Sequence, residues 1–177
     1  MAQLRTAHTA DLSPEELQAI RGLLDGAFDE DVTYEDYEHA LGGIHALVWA
    51  GSELVGHGSV VMRRLLHRGR ALRAGYVEGV AVRADQRRRG HGSALMAALE
   101  RVISGGYEVG ALGATEEATA FYAGRGWVLW PGTLSVIAPG GLIRTGDEEG
   151  WVYVLPGSAG LDLSGDLACG WRDGDVW

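Results

Sequence analysis

Apolar residues near the N-terminus recur every three or four positions. In the segment SPEELQAIRGLLDGAF this spacing predicts an amphipathic helix with one buried face. Its first residues form a helix-start signal, because Ser13 can cap the helix, Pro14 suits the first helical position and Glu16 completes a capping box. The predicted buried face consists of Leu17, Ile20, Leu23, Leu24 and Phe28.

Alternating and β-rich segments surround this helix. LRTAHT predicts a first strand, and HALVWAGSELVGHGSVVMRR predicts a hairpin that turns at Gly51-Ser52. RALRAGYVEGVAVRAD predicts a further extended segment. Within DEDVTYEDYEHALGG, Thr33 is a suitable cap for a short second helix that ends at Gly42-Gly43.

The second half of the chain mixes the two patterns. A helix is predicted after Gly92, with an apolar face that includes Leu95 and Leu99. YEVGAL and WVYVLP predict strands, EEATAFYAGRGW a short helix, and the turn-rich PGGLIRTGDEEG a functional loop. Without a repeat or a linker, residues 1–177 are expected to form a single domain. Because strands and helices do not alternate strictly, we expect an α/β (α+β) fold, with a mixed, largely antiparallel sheet flanked by helices.

Composition limits the class of protein. Apolar residues make up 46% of the chain and charged residues 22%, as in a folded globular domain. Cys169 is the only cysteine, which excludes an internal disulfide and a cysteine-based metal cluster and favours a reducing compartment. The N-terminal residues lack the apolar region of a signal peptide, and no apolar run is long enough for a membrane span. The expected location is the cytoplasm.

The net charge of −9 is unevenly distributed, and every basic residue other than histidine is arginine. Nine of the fifteen arginines lie between Arg63 and Arg89 beside only two acids, so this segment carries +7 and the remainder −16. Such a division indicates two unlike ligands, one anionic and one cationic. The alternative interpretation is ordinary solvated surface charge.

The stretch AVRADQRRRGHGSALM has the features of an anion site. A strand ends near Arg83, a loop follows, and two glycines introduce a helix whose first turn has unpaired N–H donors and the positive end of the helix dipole. Gly90 and Gly92 lack a Cβ, so an anion can approach the backbone closely. The loop matches neither a Walker A motif nor G-x-G-x-x-G.

The loop does match R-x-x-G-x-G, and with two further motifs it resembles the GNAT family of N-acetyltransferases. GYVEGVAVRAD is similar to the strand that precedes this family's pyrophosphate loop, and ATAFYAGRGW is similar to its later tyrosine-containing helix. The resemblance implies that acetyl-CoA is the co-substrate, with its pantetheine arm on the strand, where an N–H polarises the thioester carbonyl. The implied acetyl-CoA contacts are Val80, Ala81, Val82, Arg87, Arg88, Arg89, Gly90, His91 and Gly92.

The chemistry of acetyl transfer suits two further residues. An amine must lose a proton before it can attack, because an ammonium group has no lone pair, and a base therefore helps at neutral pH. Glu78 is the acidic residue on the acetyl-CoA strand and is the expected base, directly or through water; Tyr122 is the expected acid for the departing thiolate. The alternatives are an outward-facing strand carboxylate and a half-buried aromatic residue.

Nearly the whole chain resembles a narrower group, the bacterial aminoglycoside 2'-N-acetyltransferases. EDYEHALGGIHALVW, YVEGVAVRAD and the C-terminal WRDGDVW are the segments that carry this resemblance. It implies a polycationic acceptor held by several carboxylates, and a homodimer. Direct attack without a covalent enzyme intermediate is expected because the sequence offers no activated nucleophile and Cys169 lies far from the motif. Gly113 stands where this group is expected to have a serine. The implied acceptor contacts are Asp31, Asp36, Glu78, Gly79, Gly113, Glu148, Asp175 and Trp177.

Other functions are compatible with parts of this pattern. The same fold can acetylate a polyamine, a cell-wall amino sugar or a peptide N-terminus, and an inactive relative could act as an acyl-CoA sensor. A nucleic-acid-binding module would use the arginine-rich segment, but the net negative charge and the lack of aromatic residues among the arginines oppose it. The spacing of the histidines is not that of metal ligands, and neither a metal nor a membrane partner is expected.

Overall fold

The computed structural model describes residues 2–28, 32–157 and 160–177. The chain folds into two compact units. The first unit contains residues 1–61 and 77–102, and the second contains residues 62–76 and 103–177. Two long strands, β3 (Glu53–His67) and β4 (Arg70–Val82), and the helix α3 (His91–Gly106) contribute residues to both.

The first unit is built on an antiparallel sheet. Strand β1 (Ala2–His8) pairs with β2 (Ile44–Ala50), and β2 pairs with the first part of β3. Ala50 lies opposite Glu53, so Gly51 and Ser52 form a two-residue connection. The predicted hairpin and its turn are therefore confirmed.

Helix α1 (Pro14–Ala27) begins as the sequence predicts. The Ser13 hydroxyl accepts a hydrogen bond from the Glu16 N–H, and the Glu16 carboxylate accepts one from the Ser13 N–H. Its apolar face packs into the core of the first unit, whereas Phe28, predicted to lie on that face, is exposed. Helix α2 (Tyr34–His39) is capped by Thr33 but ends before the predicted glycine pair. Buried members of this core are Leu12, Ile20, Leu23, Leu24, Leu47, Leu54 and Ala81.

The second unit has a mixed sheet. The first part of β4 pairs in parallel with β5 (Val109–Gly113). Strand β9 (Val152–Pro156) pairs antiparallel with β5 on one side and with β6 (Val128–Leu129) on the other. The last part of β3 pairs antiparallel with β10 (Leu167–Gly170). Strand β10 is parallel to β7 (Leu134–Ala138), which pairs antiparallel with β8 (Gly141–Arg144). The short helix α4 (Thr119–Ala123) lies between β5 and β6 in the chain.

The expected fold class is confirmed, since helices accompany a sheet with both parallel and antiparallel pairs. The prediction of one loop over PGGLIRTGDEEG is wrong for its central residues. Residues 141–144 form strand β8 of a hairpin with β7, and a 3₁₀ turn follows at Gly146–Glu148. All four residues of β8 are exposed, so the strand carries no alternating pattern that could distinguish it from a loop.

Candidate active site

Strand β4 changes its backbone conformation where the candidate base lies. Gly79 has a φ of +57°, in the left-handed region, so the extended geometry of β4 is interrupted directly after Glu78. Glu78, Gly79 and Val80 are all half-buried, whereas the following Ala81 is buried. The interruption redirects the backbone groups at the point where the sequence predicts acetyl-CoA binding.

The predicted pyrophosphate loop has a backbone suited to an anion. Arg88 has a φ of +62° and Gly90 a φ of +84°, and the Gly90 carbonyl accepts the first helical hydrogen bond, from Ala94 N–H at 3.0 Å. Backbone turns that include left-handed residues can direct successive N–H groups toward a common point. Helix α3 begins at His91, slightly earlier than predicted, so the N–H donors of its first turn include those of His91 and Gly92.

The loop arginines differ in their surroundings. All three loop arginines, 87 to 89, are exposed, and Arg87 also donates from Nε to the Val82 carbonyl at 3.2 Å, which ties the loop to the end of β4. Arg83, just before the loop, donates to the carboxylates of Asp85 and Glu53 at 2.6 and 2.8 Å. In the second unit, Arg68 pairs with Asp162 and Arg70 with Glu108. Part of the positive charge of the arginine-rich segment is thus compensated by ion pairs.

Tyr122 lies on α4 in the second unit and is buried, with only 6% of its surface exposed. Its ring meets that of Trp127 edge to face, with ring centroids 6.2 Å apart. Burial raises the pKa of Tyr122 to about 12, because it disfavours the phenolate. The hydroxyl therefore holds its proton at neutral pH and is a proton donor rather than a base.

In the second unit, two predicted acceptor residues at the end of the chain lie close to a third, Glu148 of the 3₁₀ turn. Trp177 is buried, and its indole N–H donates to the Thr145 hydroxyl at 2.8 Å. The Trp177 backbone N–H donates to the Asp175 carboxylate at 3.1 Å. Burial raises the pKa of Glu148, and the charges of Asp175 and Asp147 raise it further. Glu148 and Asp175 thus belong to one electronegative cluster.

Two arginines hold this C-terminal segment in place, a role that the sequence did not predict. Arg63 donates to the carbonyls of Val176 and Gly170 at 2.7 and 3.0 Å, and Arg172 donates to the Trp177 carbonyl at 2.9 Å. Both guanidinium groups also lie over the ring of the buried Tyr76, at 4.6 and 5.5 Å from its centroid. Arg63 and Val176 are 113 residues apart, a separation that no local sequence pattern reveals.

The remaining predicted acceptor residues have varied positions. Asp36 is the acidic member of the α2 capping box and accepts from the Thr33 N–H at 2.9 Å, so one of its oxygens has a structural role. A Cβ on the exposed Gly113 would lie 3.8 Å from both the Trp177 carbonyl carbon and the Tyr76 hydroxyl. The serine expected there would therefore fit without a clash. Asp31 lies outside the described residues.

A buried pair of histidines was also missed. His45 and His57 are completely inaccessible to solvent, and His45 Nδ1 lies 2.9 Å from His57 Nε2. The other ring nitrogens lie 2.7 Å from the Thr9 hydroxyl and 2.8 Å from the Gly79 carbonyl. Burial lowers the pKa of His45 to about 4 and that of His57 to about 3. Their spacing along neighbouring strands could have suggested a contact, but not its link to Gly79.

The described residues were searched for metal-binding side-chain clusters and for membrane-spanning helices. No group of three or more histidine, cysteine, aspartate or glutamate side chains that could hold a metal ion is found in residues 2–28, 32–157 and 160–177. In the same ranges, no helix is both long enough and apolar enough to cross a membrane.

Comparisons with known proteins agree with this geometry. The acetyltransferase (GNAT) domain family matches residues 8–129. An aminoglycoside 2'-N-acetyltransferase from Mycolicibacterium fortuitum is 45% identical to the chain, over 98% of the chain and 91% of that protein.

Solved structures share the fold at lower identity. ElaA from Escherichia coli superposes with a TM-score of 0.62 at 23% identity, over 81% of this chain and 97% of its own. An acyl-CoA N-acyltransferase from Pseudomonas aeruginosa superposes with a TM-score of 0.61 at 17% identity, over 87% and 99% of the two chains. The motifs, the fold and the extent of these matches lead to one assignment: this protein belongs to the GNAT family of acetyltransferases, whose acetyl donor is acetyl-CoA.

Proposed function

We propose that this protein is an aminoglycoside 2'-N-acetyltransferase, which transfers the acetyl group of acetyl-CoA to the 2'-amine of the antibiotic. The observation that carries this proposal is the 45% identity to the Mycolicibacterium fortuitum enzyme of that name, which extends over almost the full length of both chains. A match over 98% of the chain includes the early acidic region and the C-terminal residues, from which most of the proposed acceptor contacts come.

The donor half of the reaction uses groups of the first unit. The pyrophosphate is held by N–H groups at the start of α3 and by the positive charge of Arg87, Arg88 and Arg89. The pantetheine arm extends along Val80, Ala81 and Val82, where backbone groups pair with its amides. His91 and Gly92 lie at the helix start, next to the phosphates.

The transfer itself is a direct displacement. Glu78 accepts a proton from the ammonium group of the acceptor, directly or through water, and the freed nitrogen lone pair forms the new C–N bond at the thioester carbon. The C–S bond then breaks, and its electron pair leaves with sulfur. Tyr122 gives its proton to this thiolate, a role consistent with a buried phenol whose raised pKa keeps it protonated. The acetylated nitrogen loses its second proton, which restores the Tyr122 hydroxyl through water and leaves a neutral amide. Cys169 is buried and its thiol pKa is raised, so it is a poor nucleophile for a covalent intermediate.

The acceptor half relies on carboxylates. An aminoglycoside carries several ammonium groups, and each is stabilised by an anionic partner. Glu148 and Asp175 supply a cluster in the second unit, beside the buried Trp177. Asp36, with one oxygen in its helix cap, and Asp31 are the proposed contacts from the early acidic segment, and Glu78 and Gly79 those from β4. Gly113, next to Trp177, is the proposed backbone contact.

We also infer a homodimer in the cytoplasm. The support is the resemblance to aminoglycoside acetyltransferases and the single cysteine, which suits a reducing compartment. Nucleic acid is not a proposed partner, because the chain carries a net charge of −9.

The test compares two aminoglycosides that differ only at the 2' position. Kanamycin B has an amine there and kanamycin A a hydroxyl group. The enzyme is expected to release CoA rapidly with acetyl-CoA and kanamycin B and to show only background release with kanamycin A. Equal rates with the two compounds would contradict the 2' assignment, and mass spectrometry of the product would then locate the acetylated amine. Rapid release with a simple polyamine and none with kanamycin B would indicate another acceptor class.

A further inference from the structure

A chain of hydrogen bonds crosses the interior of the first unit and ends on Gly79. It begins at the Gly42 N–H, which donates to the Thr9 hydroxyl at 2.8 Å. It continues from Thr9 to His45 at 2.7 Å, from His45 to His57 at 2.9 Å and from His57 to the Gly79 carbonyl at 2.8 Å. All four imidazole nitrogens of the two histidines have a partner.

The direction of these hydrogen bonds follows from the last one. A carbonyl oxygen only accepts, so Nδ1 of His57 carries the hydrogen and its Nε2 accepts from Nδ1–H of His45. Nε2 of His45 then accepts from the Thr9 hydroxyl, which lies closer to it than to the Gly43 carbonyl at 3.3 Å. Each imidazole is neutral in this scheme, as the low pKa values of both rings require.

The hydrogen bond from His57 to the Gly79 carbonyl fixes the orientation of the Gly79–Val80 peptide group. Glycine alone would allow this peptide group to rotate. Glycine adopts left- and right-handed conformations with similar ease, so its φ of +57° is not enforced by a side chain. In a planar trans peptide the C=O and the following N–H point in opposite directions. When His57 holds the Gly79 carbonyl toward the interior, the Val80 N–H is directed away from His57.

The burial of two imidazole rings in a protein core is unfavourable in free energy. Apolar side chains would occupy the same volume without the cost of removing polar rings from water. Gly79 itself lies against an apolar side chain, since a Cβ placed on it would lie 3.5 Å from Leu24 Cδ1 and 3.4 Å from His57 Cε1. The polar pair is therefore best explained by what it holds, the Gly79 carbonyl.

We propose that His57, oriented by His45, is a positioning residue for acetyl transfer, because it fixes the Gly79–Val80 peptide with the Val80 N–H toward the thioester carbonyl. This inference rests on the proposed binding of acetyl-CoA along β4. The developing negative charge on the thioester oxygen is stabilised by a donor that is already oriented, and removal of such a donor lowers turnover by about 100-fold to 1,000-fold in other enzymes. Loss of orientation alone is expected to cost less, about 10-fold to 100-fold.

The test uses a matched pair of substitutions. His57→Asn keeps an N–H donor close to the position of Nδ1, whereas His57→Leu has nearly the same shape and no donor. We expect His57→Leu to lower kcat with kanamycin B about 10-fold to 100-fold while the KM for acetyl-CoA changes less than about threefold. His57→Asn is expected to keep kcat within about threefold of the wild type. Equal losses in both variants, or no loss in His57→Leu, would overturn the proposal.

His67 provides a control for the simple loss of a buried histidine. It is also buried, and its Nδ1 lies 2.9 Å from the carbonyl of Asp166, a residue outside the proposed site. His67→Leu should lower thermal stability without lowering kcat at a temperature where the variant is folded. A loss of kcat as large as that of His57→Leu would mean that the effect is general destabilisation.

A second measurement does not depend on the acceptor or on a stable His57→Leu variant. In ¹⁵N-labelled protein, the Val80 amide resonance should shift more on addition of acetyl-CoA than of CoA, because only acetyl-CoA has the thioester carbonyl. In His45→Leu, which leaves His57 in place but removes its partner, this difference should shrink by at least about half. An unchanged difference would refute the positioning role. If kanamycin B is not acetylated but the Val80 signal behaves as expected, the aminoglycoside assignment fails and this inference stands.

Discussion

The buried histidine pair makes the stability of the fold depend on pH just below neutrality. An unfolded chain exposes both imidazoles, which then protonate with their ordinary pKa near 6.5. In the folded protein the pKa of His45 is about 4 and that of His57 about 3. Below pH 6.5 the unfolded state therefore binds more protons than the folded state, and the free energy of unfolding falls as the pH falls. This loss ends only below the folded pKa values.

The size of this loss in the free energy of unfolding follows from the folded and unfolded pKa values of the two histidines. At about pH 5.0 an exposed imidazole is almost fully protonated and a buried one almost fully neutral, so each histidine costs about 2 kcal/mol of stability relative to about pH 7.5. The pair together costs about 4 kcal/mol, a large part of the total stability of a typical domain. Lowered carboxyl pKa values, such as those of Glu108 and Asp162, act in the same direction but mainly below this range. The raised pKa of Glu148 acts in the opposite direction.

Urea unfolding followed by tryptophan fluorescence, at half-unit steps from about pH 7.5 to about pH 5.0, measures this dependence. The wild-type protein should lose about 4 kcal/mol over the range, and His57→Asn, which retains one buried imidazole, about half as much. Equal pH slopes for the two proteins would show that the imidazoles are not the titrating groups. A flat profile for the wild type would show that they are not buried in the neutral form.

Three further predictions concern the proposed proton donor Tyr122, the acidic cluster of Glu148 and Asp175, and the first helix. Tyr122→Phe should lower kcat about 100-fold with little change in the KM for acetyl-CoA, because only the proton donor is lost; unchanged turnover in steady-state assays would remove Tyr122 as the acid. The KM for kanamycin B should rise as the pH falls through the raised pKa of Glu148, and the rise should be weaker in Glu148→Gln, as pH-dependent kinetics would show. Ser13→Ala should lower the unfolding free energy by about 1 kcal/mol in chemical denaturation, whereas Ser13→Asp, which can still cap the helix, should be nearly neutral.

Features set by neighbouring residues could be predicted from the sequence. The Ser13 and Thr33 caps, the turn at Gly51-Ser52 and the glycine-introduced helix after β4 each depend on residues within a few positions of one another. The side chains and backbone preferences of these residues act within a few positions, so a short stretch of sequence is enough to predict each feature. The family motifs on β4 and α4 belong to the same class of signal.

Features formed by distant residues could not be predicted in this way. His57 contacts Gly79 across 22 positions, and Arg63 contacts Val176 across 113, so only the folded chain brings these groups together. The left-handed Gly79 is one of many glycines, and nothing in its immediate neighbours distinguishes it. The short strand β8 was missed for a different reason, since its residues are exposed and too few to show alternation.

The left-handed backbone at Arg88 has a consequence for the evolution of this enzyme. A non-glycine residue in this conformation costs about 1 kcal/mol or more, so Arg88→Gly or Arg88→Asn would relieve strain and raise the melting temperature. The same change would remove a positive charge from the proposed phosphate loop, and glycine would also make its backbone more flexible. Under the proposed function, the stability of the fold and the binding of the acetyl donor thus favour different residues at this position.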